Sequence, residues 1–122
     1  MLPKKSNAGT KNNFFLWYTY YMTTYQLIAT TLEQQKPTLR KFGVSRIGIF
    51  GSSVRTDATP ESDIDMMVEF EPGKKTYRNF WGIATYLESL LGKQIDLVTP
   101  QAVSPRIKPY IDKDIRYVQV NN

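Results

Sequence analysis

Along residues 23–42 the apolar positions Leu27, Ile28 and Leu32 recur at the three-and-four spacing of one helix face. Thr23 or Thr24 supplies the N-cap, and a short turn at Pro37 carries Leu39 and Phe42 before Gly43 stops the run. The period then shortens. Residues 45–50 (SRIGIF) read as a strand ending at Gly51, residues 52–55 as one helical turn, and 56–62 (TDATPES) as a loop. Residues 63–70 (DIDMMVEF) form a second strand with Ile64, Met66 and Val68 on the core side, although Met67 breaks the alternation. Residues 76–91 place Tyr77, Phe80, Trp81, Ala84, Leu87 and Leu91 at helical spacing, and Gly92 ends them. A second apolar set, Ile83, Tyr86 and Leu90, widens that stripe enough for a helical partner or a second copy to cover it. Residues 93–100 (KQIDLVTP) are a third strand. Ser104-Pro105 begins a short helix that Pro109 weakens, and 115–120 (IRYVQV) form an edge strand. The order predicts an α/β (α+β) fold, a small mixed β-sheet with helices packed on one side.

Composition narrows the chemistry. At 122 residues, 41% hydrophobic and 22% charged, the chain suits one soluble domain. Cysteine and histidine are both absent, which excludes disulfides, thiolate or imidazole metal sites and histidine bases. A metal site must then use oxygen donors, which suit Mg²⁺, Mn²⁺ or Ca²⁺ rather than zinc. The net charge of +5 is concentrated at the start: Lys4, Lys5 and Lys11 lie in a stretch with no acid. The rest of the chain is close to neutral, with one short basic cluster at Lys74, Lys75 and Arg78, so nucleic acid is not the expected substrate. Residues 14–22 (FFLWYTYYM) are too short to span a membrane, and they lack the small-residue cleavage site of a secretory signal. Cytoplasmic location is the expectation.

The strand of residues 63–70 carries an anomaly. Asp63 and Asp65 stand two apart, on one face, where carboxylates are costly to desolvate and repel each other. Asp96 lies between Ile95 and Leu97 in the third apolar strand, with no structural reason to be there. If those strands are neighbours, the three carboxylates form one cluster. Upstream, a glycine at a strand end followed by a helical start lets backbone N–H groups approach an anion; Ser52 and Ser53 supply hydroxyls there and Arg55 a positive charge. The turn is no P-loop, since the Gly-Lys-Ser/Thr ending is missing. Three carboxylates beside a phosphate cradle call for divalent cations that bind a triphosphate, activate a hydroxyl and stabilise leaving pyrophosphate.

Gly51-Ser52, ten intervening residues, Asp63-x-Asp65 and a later strand Asp96 resemble the nucleotidyltransferase superfamily related to DNA polymerase β. The stretches GIFGSSVR, TPESDIDMMVEFEPG and KQIDLVTP are similar to the minimal nucleotidyltransferases, and among these to antitoxins paired with HEPN-domain ribonuclease toxins. The resemblance implies transfer of AMP from ATP to a toxin tyrosine. It assigns nucleotide phosphate to Gly51, Ser52, Ser53 and Arg55, both Mg²⁺ (or Mn²⁺) ions to Asp63 and Asp65, and completion of the site to Asp96. An oligomer with the toxin is compatible with the resemblance, which leaves the oligomeric state open. Thr56 departs from the pattern, which has glycine after the motif arginine. Two other readings stay open: an antitoxin that only masks its toxin, and transfer to a small molecule such as an aminoglycoside. The resemblance begins near Met22. Residues 1–21 therefore read as an extension upstream of a start at Met22, with 22–122 as the nucleotidyltransferase domain, or else as an aromatic segment that packs on the domain or a partner.

Overall fold

The computed structural model describes residues 23–121, and the expectations for residues 1–21 lie outside the described residues. Helix α1 (Thr24–Gln34) begins with a reciprocal cap: the Gln26 N–H donates to Thr23 Oγ1 at 3.1 Å, and the Thr23 N–H donates to Gln26 Oε1 at 3.0 Å. Both bonds satisfy donors that a helix start otherwise leaves unpaired. Helix α2 (Lys36–Lys41) follows with proline in its first turn, where no N–H is needed. Gly43, at φ 79°, turns the chain into strand β1 (Val44–Phe50).

Strands β2 (Ile64–Phe70), β3 (Ile95–Val98) and β4 (Arg116–Gln119) complete a sheet of order β3-β2-β1-β4. β1 is antiparallel to both neighbours, and β2 is parallel to β3. A parallel pair needs a long crossover, and helix α4 (Tyr77–Leu91) supplies it. Helices α1, α2 and α4 bury Leu32, Leu39, Ile83 and Leu87 against Ile47, Ile49, Met66 and Val68. The fold is the expected small mixed sheet with packed helices.

Three local expectations change. Ile83, Leu87 and Leu91 form the buried face of α4, whereas Tyr77 and Trp81 remain 79% and 53% exposed. The reason is a close approach between elements: the Phe42 ring lies against the backbone of Gly82, where a Cβ would stand 2.6 Å from Phe42 Cε1. Tyr86 joins the same side and donates its hydroxyl to Gln35 Oε1 at 2.7 Å. The short C-terminal helix α5 runs Lys108–Asp114, so Pro109 opens it rather than weakening it. Ser104-Pro105 instead belongs to a preceding turn, in which the Ser104 carbonyl accepts from the Ile107 and Lys108 N–H groups at 3.1 Å. Met67 is buried on the side opposite the helices because it pairs with Gly48, and Ile115, just after α5, packs onto Gly48.

Candidate active site

Helix α3 (Ser52–Arg55) is one turn long and starts where β1 ends. Gly51 joins them at φ 77°, ψ −149°, a conformation open in practice only to glycine. Its carbonyl accepts from the Val54 and Arg55 N–H groups at 3.1 Å, which closes the turn. Ser52 heads that turn and is partly exposed. Ser53 is 2% exposed and lines a hollow of about 290 Å³ together with Leu27, Ile28 and Ile64. It therefore sits on the helix-packed side, because Ile64 points opposite to Asp65.

The carboxylates meet through strand register. Asp65 lies directly beside Asp96 in the parallel β2–β3 pair, and on its other side it faces Phe50, the last residue of β1. Asp63 stands one residue before β2 begins. The missing side chain of Gly51 makes room for this group: a Cβ there would overlap Asp65 Oδ2 and lie 3.2 Å from Asp65 Cγ. Burial pushes the Asp65 carboxyl above the ordinary carboxylate range; the negative charges of Asp96 and Asp63 push it further, and Arg55 opposes them. Among the described residues, no group of three or more acidic side chains is gathered closely enough to hold a metal ion. The donor set still fits a hard divalent cation, because it offers only oxygen, and the crowding that raises Asp65 is what a cation relieves. Asp63, Asp65 and Asp96 are the residues that could hold it.

Arg55 is the last residue of α3, and its guanidinium is shared between two acids. Nη1 donates to Asp114 Oδ2 at 3.1 Å, and Nη2 lies 3.7 Å from Asp57 Oδ2. Thr56 follows at φ 70°, a left-handed conformation that glycine adopts more readily than threonine. The sequence offered no signal for Asp114, which comes from α5, 59 positions after Arg55.

A sequence profile of the nucleotidyltransferase domain matches residues 32–118. MntA of Thermococcus cleftensis, a protein adenylyltransferase, is 38% identical over 98 residues, spanning 80% of this chain and 98% of that protein. A solved structure assigned as a minimal nucleotidyltransferase superposes with a TM-score of 0.64 at 29% identity, covering 79% of this chain and 96% of its own. A toxin–antitoxin crystal structure with AMP-PNP shares the fold at a TM-score of 0.53 and 22% identity, over 67% of this chain and 70% of its own. Matched from the first helix to the last strand, the chain belongs to the nucleotidyltransferase domain family.

Proposed function

We propose that the protein moves AMP from ATP to a protein hydroxyl, a tyrosine of a HEPN-type ribonuclease toxin, and so acts as that toxin's antitoxin in the cytoplasm. The observation that carries the reading is the side-by-side register of Asp65 and Asp96 next to the Gly51 turn. It brings carboxylates next to a glycine-led helix start, whose free N–H groups suit an anion. The MntA relative, matched over nearly its whole length, is named for protein adenylyl transfer, and that name supports the substrate class. The toxin–antitoxin neighbour shares the fold and supports the kind of assembly. No helix among the described residues is long and apolar enough to cross a membrane.

In this reading the Gly51-Ser52 turn and Arg55 hold the ATP phosphates in line. Asp63, Asp65 and Asp96 present carboxylate oxygens to Mg²⁺ or Mn²⁺, which when bound neutralises phosphate charge and lowers the pKa of the attacking hydroxyl. The acceptor oxygen forms a bond to the α-phosphorus while the bond from that phosphorus to the bridging oxygen breaks. Pyrophosphate leaves, and the hydroxyl proton departs to the Asp96 carboxylate. Asp65 is half-buried, whereas Asp63 and Asp96 are exposed, so a cation and a nucleotide can reach the carboxylates from solvent.

The test uses the full chain, a HEPN protein encoded beside it, Mg²⁺ and ATP labelled at the α-phosphate. Label should appear on a partner tyrosine and vanish with EDTA or with Asp96→Asn. A tight complex that never becomes labelled would replace transfer with masking. Label on an added aminoglycoside, and none on the partner, would replace the protein acceptor with a small molecule.

A further inference from the structure

Resting on that reading of ATP use, we propose that Asp114 is a positioning residue that holds the Arg55 guanidinium in place for the nucleotide phosphates. An arginine at the end of a one-turn helix has a long, rotatable arm, and it binds phosphate well only when its fork is already aimed. Its two acidic neighbours are not equivalent. Asp57 is 62% exposed in the loop after α3 and lies beyond hydrogen-bond distance. Asp114 is 22% exposed, makes the 3.1 Å bond, and stands on an element anchored at both sides. Ile111, one turn earlier in α5, is buried, and Ile115, the next residue, packs onto Gly48 of β1.

Asp114 also sits at the C-terminal end of α5, where the helix dipole disfavours a carboxylate. Among the described residues, Arg55 is the one cation within ion-pair distance of it. The bond to Asp114 uses a single N–H of Nη1, and the guanidinium keeps its other donors for phosphate oxygens. Arg55 remains 51% exposed, so those donors are accessible, and it ends the one-turn helix that starts just after Gly51, the residue against which the Asp65 carboxylate lies.

Binding of Mg²⁺-ATP to the full chain, measured by calorimetry, decides the matter without an acceptor protein. Asp114→Asn should weaken binding about tenfold, the size expected for coupled groups in one network. Asp114→Glu, which restores the charge, should recover most of that loss. In an Arg55→Gln background, Asp114→Asn should add little, because its effect passes through Arg55. Unchanged binding in Asp114→Asn overturns the proposal. Tighter binding also overturns it, by showing that Asp114 competes with phosphate for Arg55. An equal loss with and without Arg55 overturns it too, since Asp114 would then act through the fold. If the parent chain binds no Mg²⁺-ATP at all, the reading of ATP use fails first, and the variants show no difference.

Discussion

Gly51 and Asp65 occupy the same space in turn: the carboxylate of Asp65 fills the position that a side chain on Gly51 would take. The glycine is therefore required twice, for its backbone angles and for its lack of a Cβ. Gly51→Ala should destabilise the protein by about 2 kcal/mol or more, from a backbone conformation closed to alanine and a forced shift of Asp65. Urea unfolding of the metal-free protein measures this. Loss of Mg²⁺-ATP binding should accompany it, because the carboxylate pair is displaced. A variant with parent stability would show that the turn relaxes freely.

Asp65 makes the metal-free fold sensitive to pH in a stated direction. Its folded pKa is raised by burial and by Asp96 and Asp63. In acid below the ordinary carboxylate range, both folded and unfolded states hold the proton. As pH rises through that range, the unfolded chain releases its proton while the folded protein retains it, so stability falls until the raised folded value is passed. Asp65→Asn removes this loss. At neutral pH it should be more stable than the parent by about 1 kcal/mol, a figure already reduced for solvent screening. Urea midpoints in EDTA from acid to neutral pH should converge at the acid end. Added Mg²⁺-ATP should raise the parent's melting temperature and leave that of Asp65→Asn unmoved.

Thr56 holds a left-handed backbone conformation that a β-branched residue adopts at a penalty. Thr56→Gly should stabilise the protein by about 1 kcal/mol in thermal or urea unfolding, the relief of strain exceeding the added freedom of the unfolded chain. No change in Mg²⁺-ATP affinity should follow if the loop already has the glycine-like geometry. Destabilisation would mean that the hydrogen bond from the Thr56 hydroxyl to the Arg55 carbonyl is worth more than the strain.

Helix α4 separates residues that bear load from those that do not. Leu87 is fully buried, so Leu87→Ala should cost about 2–5 kcal/mol. Trp81 is 53% exposed and touches Tyr77 edge-on at 6.1 Å, so Trp81→Ala should change stability by only about 0.5 kcal/mol. A comparable loss for both would return Trp81 to the core.

Local pattern determined a great deal of this protein. Three-and-four spacing located α1 and α4, alternation located β1 and β2, and Gly43, Gly51 and Gly92 marked the stops, because these signals depend on residues within a turn or two of each other. Asp65 and Asp96 stood out for the same reason, since each breaks an apolar stretch visible in a short window, and Asp63 stands two positions from Asp65. Distances between segments remote in sequence were a different matter. The one-residue register that sets Asp65 against Asp96 is decided by β2–β3 pairing across the α4 crossover. The face that α4 buries is chosen by Phe42 meeting Gly82, and a stripe apolar on several sides could not choose it alone. Ser53 reads like Ser52 in the chain, yet one turns into the packed side and the other does not, since neighbouring residues of a helix point about 100° apart. The bond from Arg55 to Asp114 needs α5 laid down beside α3, and only the folded sheet brings those two helices to the same place.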